Sequence, residues 1–360
     1  MKRYLETNRD LYVYGYGNLG RNVFNKLKSL YSDRVKGIVV TKYNKKSLKA
    51  NDIVYEVDNV KLDNALVIIA TNSIFHQKIS CILKEKKINY CYYTEEMDDY
   101  INSRLDKLPL LETRLLSICV GQACNYKCRD CVNMAPYAKK DNLRYDLNSI
   151  IRDLDVILPY FQKIEKLHIQ GGEPFLYSEL DKLLQYIEYN YKSILGSIQI
   201  ATNGEIMPND KVLKILSNDI YDIRISNYKN ARNVQKVKNV LEQKNIKYHM
   251  YDFANGKGSW NYSGDKDYIA PESEDIYSKI LNCNWCMCYT VENGLVGRCA
   301  RSIPAITIQN LENYKDDYLN LNSELNSRIV GKYFMFIKPM TACKYCMGSD
   351  GDSIEAAIQI

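Results

Sequence analysis

Short apolar runs alternate with helical patterns over residues 11–93, and this alternation constrains the fold more than any other feature. Strands are predicted at 11–16, 35–40, 65–70 and 89–93, with helices from about Leu19 and over 75–86. Strands that alternate with helices form parallel sheets with crossover helices. Residues 1–108 are therefore predicted to form a small Rossmann-like domain.

A second alternating series follows the polar stretch 94–113. Its predicted strands are 115–120, 166–170, 197–202, 222–226 and 247–252, with helices such as 147–158 and 178–191 between them. Repeated strand–helix units of this length close, or partly close, a barrel. The fold class is α/β: residues 109–280 are predicted to form a partial (β/α)6 barrel, and 281–360, where cysteines return, a small cysteine-rich module.

The chain has 12 cysteines, and their number needs an explanation. We expect a cytoplasmic protein, because residues 1–10 lack a secretory signal and no segment approaches the roughly 20 apolar residues that cross a bilayer. The cytosol keeps thiols reduced, so metal or cluster ligation explains the cysteines better than disulfides do. Cys81, Cys91 and Cys119 lie alone in apolar patterns, where buried inert thiols are expected. The others form two groups.

The first group is Cys124, Cys128 and Cys131, a C-x3-C-x2-C pattern directly after the predicted strand 115–120. Loops at the carboxyl ends of barrel strands carry the chemistry of such folds. Three closely spaced thiolates can ligate three irons of a [4Fe–4S] cluster, which leaves one iron open to a small molecule. The alternative is a zinc site completed by a distant ligand, because C-x2-C pairs also bind zinc.

This pattern resembles that of the radical S-adenosylmethionine superfamily, and the resemblance extends through most of 115–347. It implies that the amino and carboxylate groups of S-adenosylmethionine chelate the open iron. An electron from the reduced cluster then cleaves this cofactor to methionine and a 5′-deoxyadenosyl radical, which abstracts hydrogen from the substrate. The cofactors carry the chemistry, and the protein binds and orients them.

A second motif lies where the superfamily places one, because Gly171, Gly172, Glu173 and Pro174 follow the strand 166–170. Adjacent glycines let a backbone approach a ligand closely, which leaves carbonyl and N–H groups for the methionine amino group. Glu173 adds charge to that contact. The resemblance also implies cofactor ribose and carboxylate contacts from residues that end the next two strands: Thr202, Asn203, Ser226 and Asn227.

One position departs from the superfamily's pattern. Many relatives carry an aromatic residue near adenine just before the third cysteine, where this chain has Asp130. The adenine contacts are therefore not assigned.

The second cysteine group is spread over the last predicted module. Its best ligand set by spacing is Cys283, Cys299, Cys343 and Cys346. The spacing Cys-x10-Gly-x4-Cys through Gly294, followed by C-x2-C, resembles the twitch module, a shortened SPASM extension that holds one auxiliary [4Fe–4S] cluster. Cys286 or Cys288 is a substitute for the first ligand. The alternative is a structural zinc site, which four paired cysteines also form.

A glycine pattern follows the first predicted strand and opens the first helix: Gly15, Gly17 and Gly20. Such a loop and helix N-terminus can hold phosphate. The second strand ends in Thr41 and Lys42, without the acidic residue that binds a ribose 2′-hydroxyl, which argues against NAD. The segment resembles Rossmann-like domains of enzymes that act on nucleotide-linked sugars. The loop either binds the diphosphate of such a substrate, which we favour, or is a tight turn in a domain that docks a partner.

Together these patterns predict a radical S-adenosylmethionine enzyme that acts on a sugar or nucleotide-linked sugar by oxidation, epimerisation or dehydration. The resemblance implies an electron donor such as a flavodoxin or ferredoxin. The alternatives are modification of a ribosomal peptide or protein and, outside enzymes, a zinc-stabilised binding protein. The net charge of +6 comes from scattered basic residues, so neither a nucleic-acid nor a membrane partner is expected. No side chain is assigned as catalytic.

Overall fold

The computed structural model describes residues 5–42, 53–256 and 258–360. The chain divides into two compact units. The first extends to Arg114 and takes in Leu325–Ile337, and the second comprises Leu115–Glu324 and Lys338–Ile360. The division into three domains at 108 and 280 stays a prediction.

The first unit contains a five-stranded parallel sheet. Its strands are β1 (Asp10–Tyr14), β2 (Val35–Val40), β3 (Val54–Glu56), β4 (Ala65–Ile69) and β5 (Asn89–Tyr92). They are arranged in the order β3-β2-β1-β4-β5. The central strands β1 and β4 are almost entirely buried, as expected where helices cover both faces of a parallel sheet. Four of the strands were predicted to within two residues, whereas β3 is too short to give a pattern.

Three helices follow strands of this sheet: α1 (Asn18–Tyr31), α2 (His76–Glu85) and α3 (Glu95–Asn102). A buried ion pair of 2.5 Å joins Lys26 of α1 to Asp98 of α3. The Asp98 carboxylate also accepts hydrogen bonds from the Tyr93 hydroxyl and the Asn102 amide. Both carboxylate oxygens therefore have partners, which a buried charge requires.

The second unit is built on an eight-stranded sheet. The strands before the cysteine-rich part are β6 (Leu111–Cys119), β7 (Phe161–Gln170), β8 (Ile198–Thr202), β9 (Tyr221–Asn227) and β10 (Tyr248–Asp252). The helices between them are α4 (Leu147–Ile157), α5 (Leu180–Tyr191), α6 (Asp210–Leu216) and α7 (Val234–Gln243). The predicted alternation is confirmed, and the chain is a mixed α/β protein in which strands β7 to β10 pair in parallel.

The two faces of this sheet differ in polarity because side chains alternate along each strand. Ile198, Ile200 and Ile223 are fully buried on one face. On the other face, β7 and β8 carry the buried polar residues His168 and Gln199, which are paired in register.

The remaining elements form the cysteine-rich part. They are β11 (Trp260–Asn261), α8 (Ile276–Asn282), β12 (Thr290–Glu292), β13 (Leu295–Gly297), α9 (Ser302–Ile308), β14 (Leu319–Asn320) and β15 (Ser353–Ile354), with α10 (Ser327–Met335) assigned to the first unit. β12 pairs in parallel with β6, so this part continues the larger sheet. The complete strand order of that sheet is β10-β9-β8-β7-β6-β12-β13-β14. Asn293 and Gly294 connect β12 to β13 with φ of 49° and 78°, the backbone signs of a two-residue hairpin turn.

Within the described residues, every helix lacks the length and apolar character needed to cross a lipid bilayer.

Candidate functional site

The residues predicted to bind the first cluster and its cofactor lie at the carboxyl ends of four strands. The loop that carries Cys124, Cys128 and Cys131, called the cysteine loop below, follows β6. Gly171 follows β7, and Thr202 is the last residue of β8. Ser226 and Asn227 end β9. Because these strands share a direction, their carboxyl ends meet at one edge of the sheet, where folds of this kind place their chemistry.

Hydrogen-bond donors point at the sulfur atoms of the first cysteine group. The Tyr126 N–H lies 3.4 Å from Cys124 Sγ, and Asn203 Nδ2 lies 3.8 Å from the same sulfur. Gln359 Nε2 lies 3.3 Å from Cys128 Sγ. Hydrogen bonds to cysteine sulfur are among the contacts that tune iron–sulfur clusters, so this donor set fits a cluster held by thiolates.

Burial raises the pKa of each thiol in this group. The pKa of Cys124 is about 12 and that of Cys128 about 11, and burial also raises the pKa of Cys131. Without metal these side chains are neutral thiols at pH 7. Thiolates are the form that binds metal, so iron must displace three protons to bind here.

The glycine pair after β7 packs directly against the cysteine loop. The Gly172 N–H donates to the Gly121 carbonyl at 2.9 Å, and the Glu173 N–H donates to the Ala123 carbonyl at 2.8 Å. A Cβ on Gly171 or Gly172 would overlap those carbonyl oxygens. The expectation that this loop leaves N–H groups for a ligand is therefore wrong for Gly172 and Glu173, whose N–H groups hold the two loops together.

Glu173 is a buried carboxyl group that joins the ends of β7 and β8. Its oxygens accept hydrogen bonds from the N–H of Phe175 at 3.1 Å and from the N–H of Asn203 at 2.8 Å. Burial raises the pKa of Glu173 to about 7, although these donors act in the opposite direction. The charge of Glu173 therefore depends on what binds beside it.

Among the other predicted cofactor residues, Asn203 contacts the cysteine loop. Asn203 Nδ2 donates to the Asn125 side chain at 2.8 Å, which ties the end of β8 to the cysteine loop. Asn227 Nδ2 donates instead to Asp252 at 2.8 Å. Ser226 is buried beside Tyr228, whose hydroxyl it contacts.

Aromatic rings lie beside the cysteine loop, although Asp130 stands where relatives carry an aromatic residue. The Tyr228 ring centroid lies 6.1 Å from that of Tyr126, 5.5 Å from Phe253 and 5.6 Å from Trp260. These residues come from separate strands and loops, so no local sequence pattern identified them.

The second cysteine group lines a cavity of about 500 Å³. The cysteines in its wall are Cys283, Cys286, Cys299, Cys343 and Cys346. Cys288 is absent from this wall. The structure therefore brings together the four predicted ligands and one of the two predicted substitutes. Burial raises the pKa of Cys286 to about 12 and that of Cys343 to about 11, so these thiols are also neutral without metal.

Backbone donors and cations surround this cavity. The Gly348 N–H lies 3.2 Å from Cys346 Sγ, and the Met340 N–H lies 3.5 Å from Cys343 Sγ. Lys279 borders the cavity, and its Nζ donates to the Cys346 carbonyl at 2.8 Å. Thiolate ligands carry negative charge, so the N–H groups and the ammonium fit a cluster at this position.

Within the described ranges, no group of three or more His, Cys, Asp or Glu side chains is placed so that it could hold a single metal ion.

The glycine loop of the first unit gives its three glycines different surroundings. Gly15 has φ of 125°, and a Cβ on Gly20 would overlap the Gly15 carbonyl. Both positions therefore require glycine for the turn and for close packing. Gly17, the residue before α1, has φ of −80° and nothing within 4 Å of its Cβ position.

Two pairs of segments that lie far apart in sequence are joined by hydrogen bonds that were not predicted. The Lys127 N–H donates to Gln359 Oε1 at 2.7 Å, and the Ile360 N–H donates to the Lys127 carbonyl at 2.9 Å. Residues 357–360 therefore cover the cysteine loop. Gln122 donates to the Glu292 carboxylate at 2.9 Å. Neither pair has a spacing that would reveal it in the sequence.

Residues 113–244 match a family model described as a 4Fe-4S single cluster domain. This match contains the whole first cysteine group, so the prediction of a cluster-binding domain there is confirmed. No match is found among curated proteins.

Several solved structures are similar to the chain. BtrN in complex with AdoMet and 2-DOIA is 17% identical, with 71% of this chain and 98% of BtrN covered and a TM-score of 0.44. SuiB of Streptococcus suis bound to S-adenosylmethionine is 19% identical, with 50% of this chain and 45% of SuiB covered and a TM-score of 0.34. The protein anSMEcpe with bound AdoMet is 20% identical, with 38% of this chain and 42% of that chain covered and a TM-score of 0.31.

This chain thus aligns with less than half of SuiB and of anSMEcpe. All three of these solved structures contain S-adenosylmethionine.

The raised pKa of Glu173 predicts a pH dependence of stability. A carboxyl group whose pKa is about 7 when folded and 4.5 when unfolded contributes stability below about pH 4.5, and this contribution is lost as pH rises through about 7. In protein free of cofactor, raising the pH from about 5 to 8 should remove up to roughly 3 kcal/mol through this group. Urea unfolding of Glu173→Gln should show a correspondingly smaller loss of stability over the same range.

Glu179→Gln is the control, because Glu179 is more than one-third exposed in its contact with Lys182. The pH dependence of the stability of Glu179→Gln should match that of the unaltered protein. Equal slopes for Glu173→Gln and the unaltered protein would show that Glu173 does not titrate in this range.

Proposed function

We propose that this chain is a radical S-adenosylmethionine enzyme. The observation that carries the proposal is the contact between the cysteine loop and the Gly171–Pro174 loop at the carboxyl ends of neighbouring strands. Three thiols, of which Cys124 and Cys128 accept hydrogen bonds, lie on one side of this contact, and a buried carboxyl group lies on the other. A structural zinc site would need a fourth ligand and gives no role to Glu173.

The residues of the first cysteine group would bind three irons of a [4Fe–4S] cluster. When bound, the cluster and S-adenosylmethionine together supply the one-electron cleavage that starts hydrogen abstraction from a substrate. Gln359 and Tyr126 would hold two of the thiolates in place through their N–H groups. Cys128 is buried and Cys124 and Cys131 are half-buried, which limits the access of water to the thiols.

The Gly171–Pro174 loop would receive the amino group of S-adenosylmethionine. The N–H groups of Gly172 and Glu173 are already used, so this loop offers acceptors rather than donors. An ammonium group needs acceptors, and Glu173 in its ionised form would compensate the ammonium charge. We assign the ribose and carboxylate contacts to Thr202, Asn203, Ser226 and Asn227.

The second cysteine group would bind an auxiliary [4Fe–4S] cluster. Cys283, Cys299, Cys343 and Cys346 remain the proposed ligands because all four line the same cavity. Cys286 is the remaining alternative to Cys283, since it lines that cavity and Cys288 does not. Four thiolates complete such a cluster.

The favoured substrate is a sugar or a nucleotide-linked sugar. Its support comes from the first unit, whose strand order β3-β2-β1-β4-β5 is that of a Rossmann-like half. Packing explains why Gly15 and Gly20 are glycines but does not explain Gly17. A glycine with open space before a helix lets a diphosphate approach the backbone closely. The reaction would be oxidation, epimerisation or dehydration.

The proposed setting is the cytoplasm, with a flavodoxin or ferredoxin as electron donor. All 12 cysteines lie in the described residues and are free thiols. Free thiols at this density are expected in a reducing compartment, where iron–sulfur ligation remains available to them.

The test of the proposed function is anaerobic reconstitution with iron and sulfide. Alanine at all three positions of the first group should abolish reductive cleavage of S-adenosylmethionine, because no ligand of the open-iron cluster remains. Alanine at Cys81 and Cys91 together is the control and should leave cleavage intact, because both cysteines lie outside the two cysteine groups. Formation of 5′-deoxyadenosine by the first variant, or zinc without iron in the unaltered protein, would refute the assignment.

Iron content tests the auxiliary cluster separately. The unaltered protein should hold about eight iron atoms per chain, which fits two [4Fe–4S] clusters, and Cys299→Ala about four. Cys288→Ala should retain about eight, because Cys288 lies outside the cavity wall. A loss of iron in Cys288→Ala equal to that in Cys299→Ala would contradict the proposed ligand set.

Binding of UDP-glucose and dTDP-glucose to the full chain tests the glycine loop. Gly17→Ala should leave thermal stability unchanged, because its φ of −80° and open surroundings accept a methyl group. Its affinity should fall roughly tenfold, since overpacking costs about 1–3 kcal/mol. Gly331→Ala, also in open space, should bind as the unaltered protein does. Equal affinities by calorimetry, or no binding at millimolar concentration, would remove the basis for a nucleotide-linked substrate.

A further inference from the structure

A second cavity in the larger unit contains no cysteine of either group. Gln122, Tyr145 and Glu292 form a polar part of its wall. Apolar side chains such as Leu295, Ile303 and Ile306 also line it. The cavity therefore has the character of a small-molecule site, which combines apolar walls with a few placed polar groups.

Glu292 is the main charged group of this cavity. It is the last residue of β12, and its side chain is 2% exposed. Its Oε1 accepts hydrogen bonds from Gln122 Nε2 at 2.9 Å and from the Tyr145 hydroxyl at 2.8 Å. The Cys119 thiol is a third neutral partner, and among the described residues no cation acts on this carboxyl group. Burial raises the pKa of Glu292, so a cation beside it would favour its ionised form.

Two acceptor atoms at this wall have no hydrogen-bond partner. They are Glu292 Oε2 and Gln122 Oε1, and both residues are 2% exposed. Buried polar atoms are almost always paired, so two unpaired acceptors on neighbouring side chains indicate a missing donor. That donor needs at least two N–H or O–H groups, and a positive charge on it would stabilise the ionised form of Glu292.

We propose that this cavity binds the primary ammonium group of a small ligand, which donates to Glu292 Oε2 and Gln122 Oε1 while its carbon skeleton packs on the apolar walls. A primary ammonium has three donors and a compact charge. The alternative occupant is ordered water, which also pairs buried acceptors but does not favour the ionised form of Glu292.

The position of the cavity suits a substrate, and this step rests on the proposed function. Gln122 lies on the same loop as Cys124, and a Cβ on Gly172 would meet the Gln122 backbone. A ligand held by Gln122 is therefore next to the loops assigned to the cluster and S-adenosylmethionine. The ammonium would belong to an amino sugar or to a lysine side chain of a peptide, and these two sources can be separated by experiment.

The test is calorimetric titration of the full chain at about pH 7.5 with three probes: D-glucosamine, D-glucose and Nα-acetyl-lysine amide. Glucosamine should bind, and glucose, which lacks the ammonium, should bind roughly 10- to 100-fold more weakly, as expected for loss of a charge-assisted hydrogen bond. Glu292→Gln should weaken glucosamine binding by a similar factor and leave glucose unchanged. Glu312→Gln, an exposed glutamate, is the matched control and should change nothing.

Each outcome decides the proposal. Binding of the lysine probe with the same dependence on Glu292 also supports an ammonium site and assigns it to a peptide substrate. No amine binding at millimolar concentration, or amine binding that is unchanged in Glu292→Gln, overturns it in favour of water alone. If Glu292→Gln does not fold, the comparison of glucosamine with glucose on the unaltered protein decides.

Iron content and cleavage of S-adenosylmethionine are measured on the same preparations. Amine binding without iron would reject the proposed function and support the ammonium site. Cleavage of S-adenosylmethionine without amine binding would support the proposed function and reject the ammonium site.

Discussion

The contact between two loop backbones holds the candidate site together. Gly172 and Glu173 donate their N–H groups to carbonyls of the cysteine loop, and the absence of side chains at 171 and 172 lets the two backbones meet. Glu173 then reaches the Asn203 N–H at the end of β8. One contact therefore fixes the thiols, a buried carboxyl group and the ends of three strands relative to each other.

The thiols of both cysteine groups have pKa values that are raised by burial, as Cys128 and Cys343 show. A positive centre beside either group would stabilise the thiolate form. N–H groups from Gln359 and Met340 approach these two sulfurs. Burial likewise raises the pKa of Glu292 in the other cavity, where its hydrogen-bond donors are neutral.

Much of the fold and the position of the first site could be predicted because their signals are local. Strand β2 was predicted with its observed bounds, since a parallel strand covered on both faces is a continuous apolar run. The close packing at Gly172 could not be predicted, because its neighbour Ala123 lies on the loop after a different strand. The choice between Cys286 and Cys288 also depended on the cavity, since both have ligand spacing in the sequence.

The sequence by itself determined the element order, the two cysteine groups and the motif loop after β7, because periodicity and spacing along the chain carry that information. Only the tertiary structure decided that Gln359 donates to Cys128 and that Gln122 and Glu292 share a wall. The physical reason is that these contacts join segments far apart in the chain. Such pairs form only when the sheet order places β12 beside β6 and the last residues over the cysteine loop.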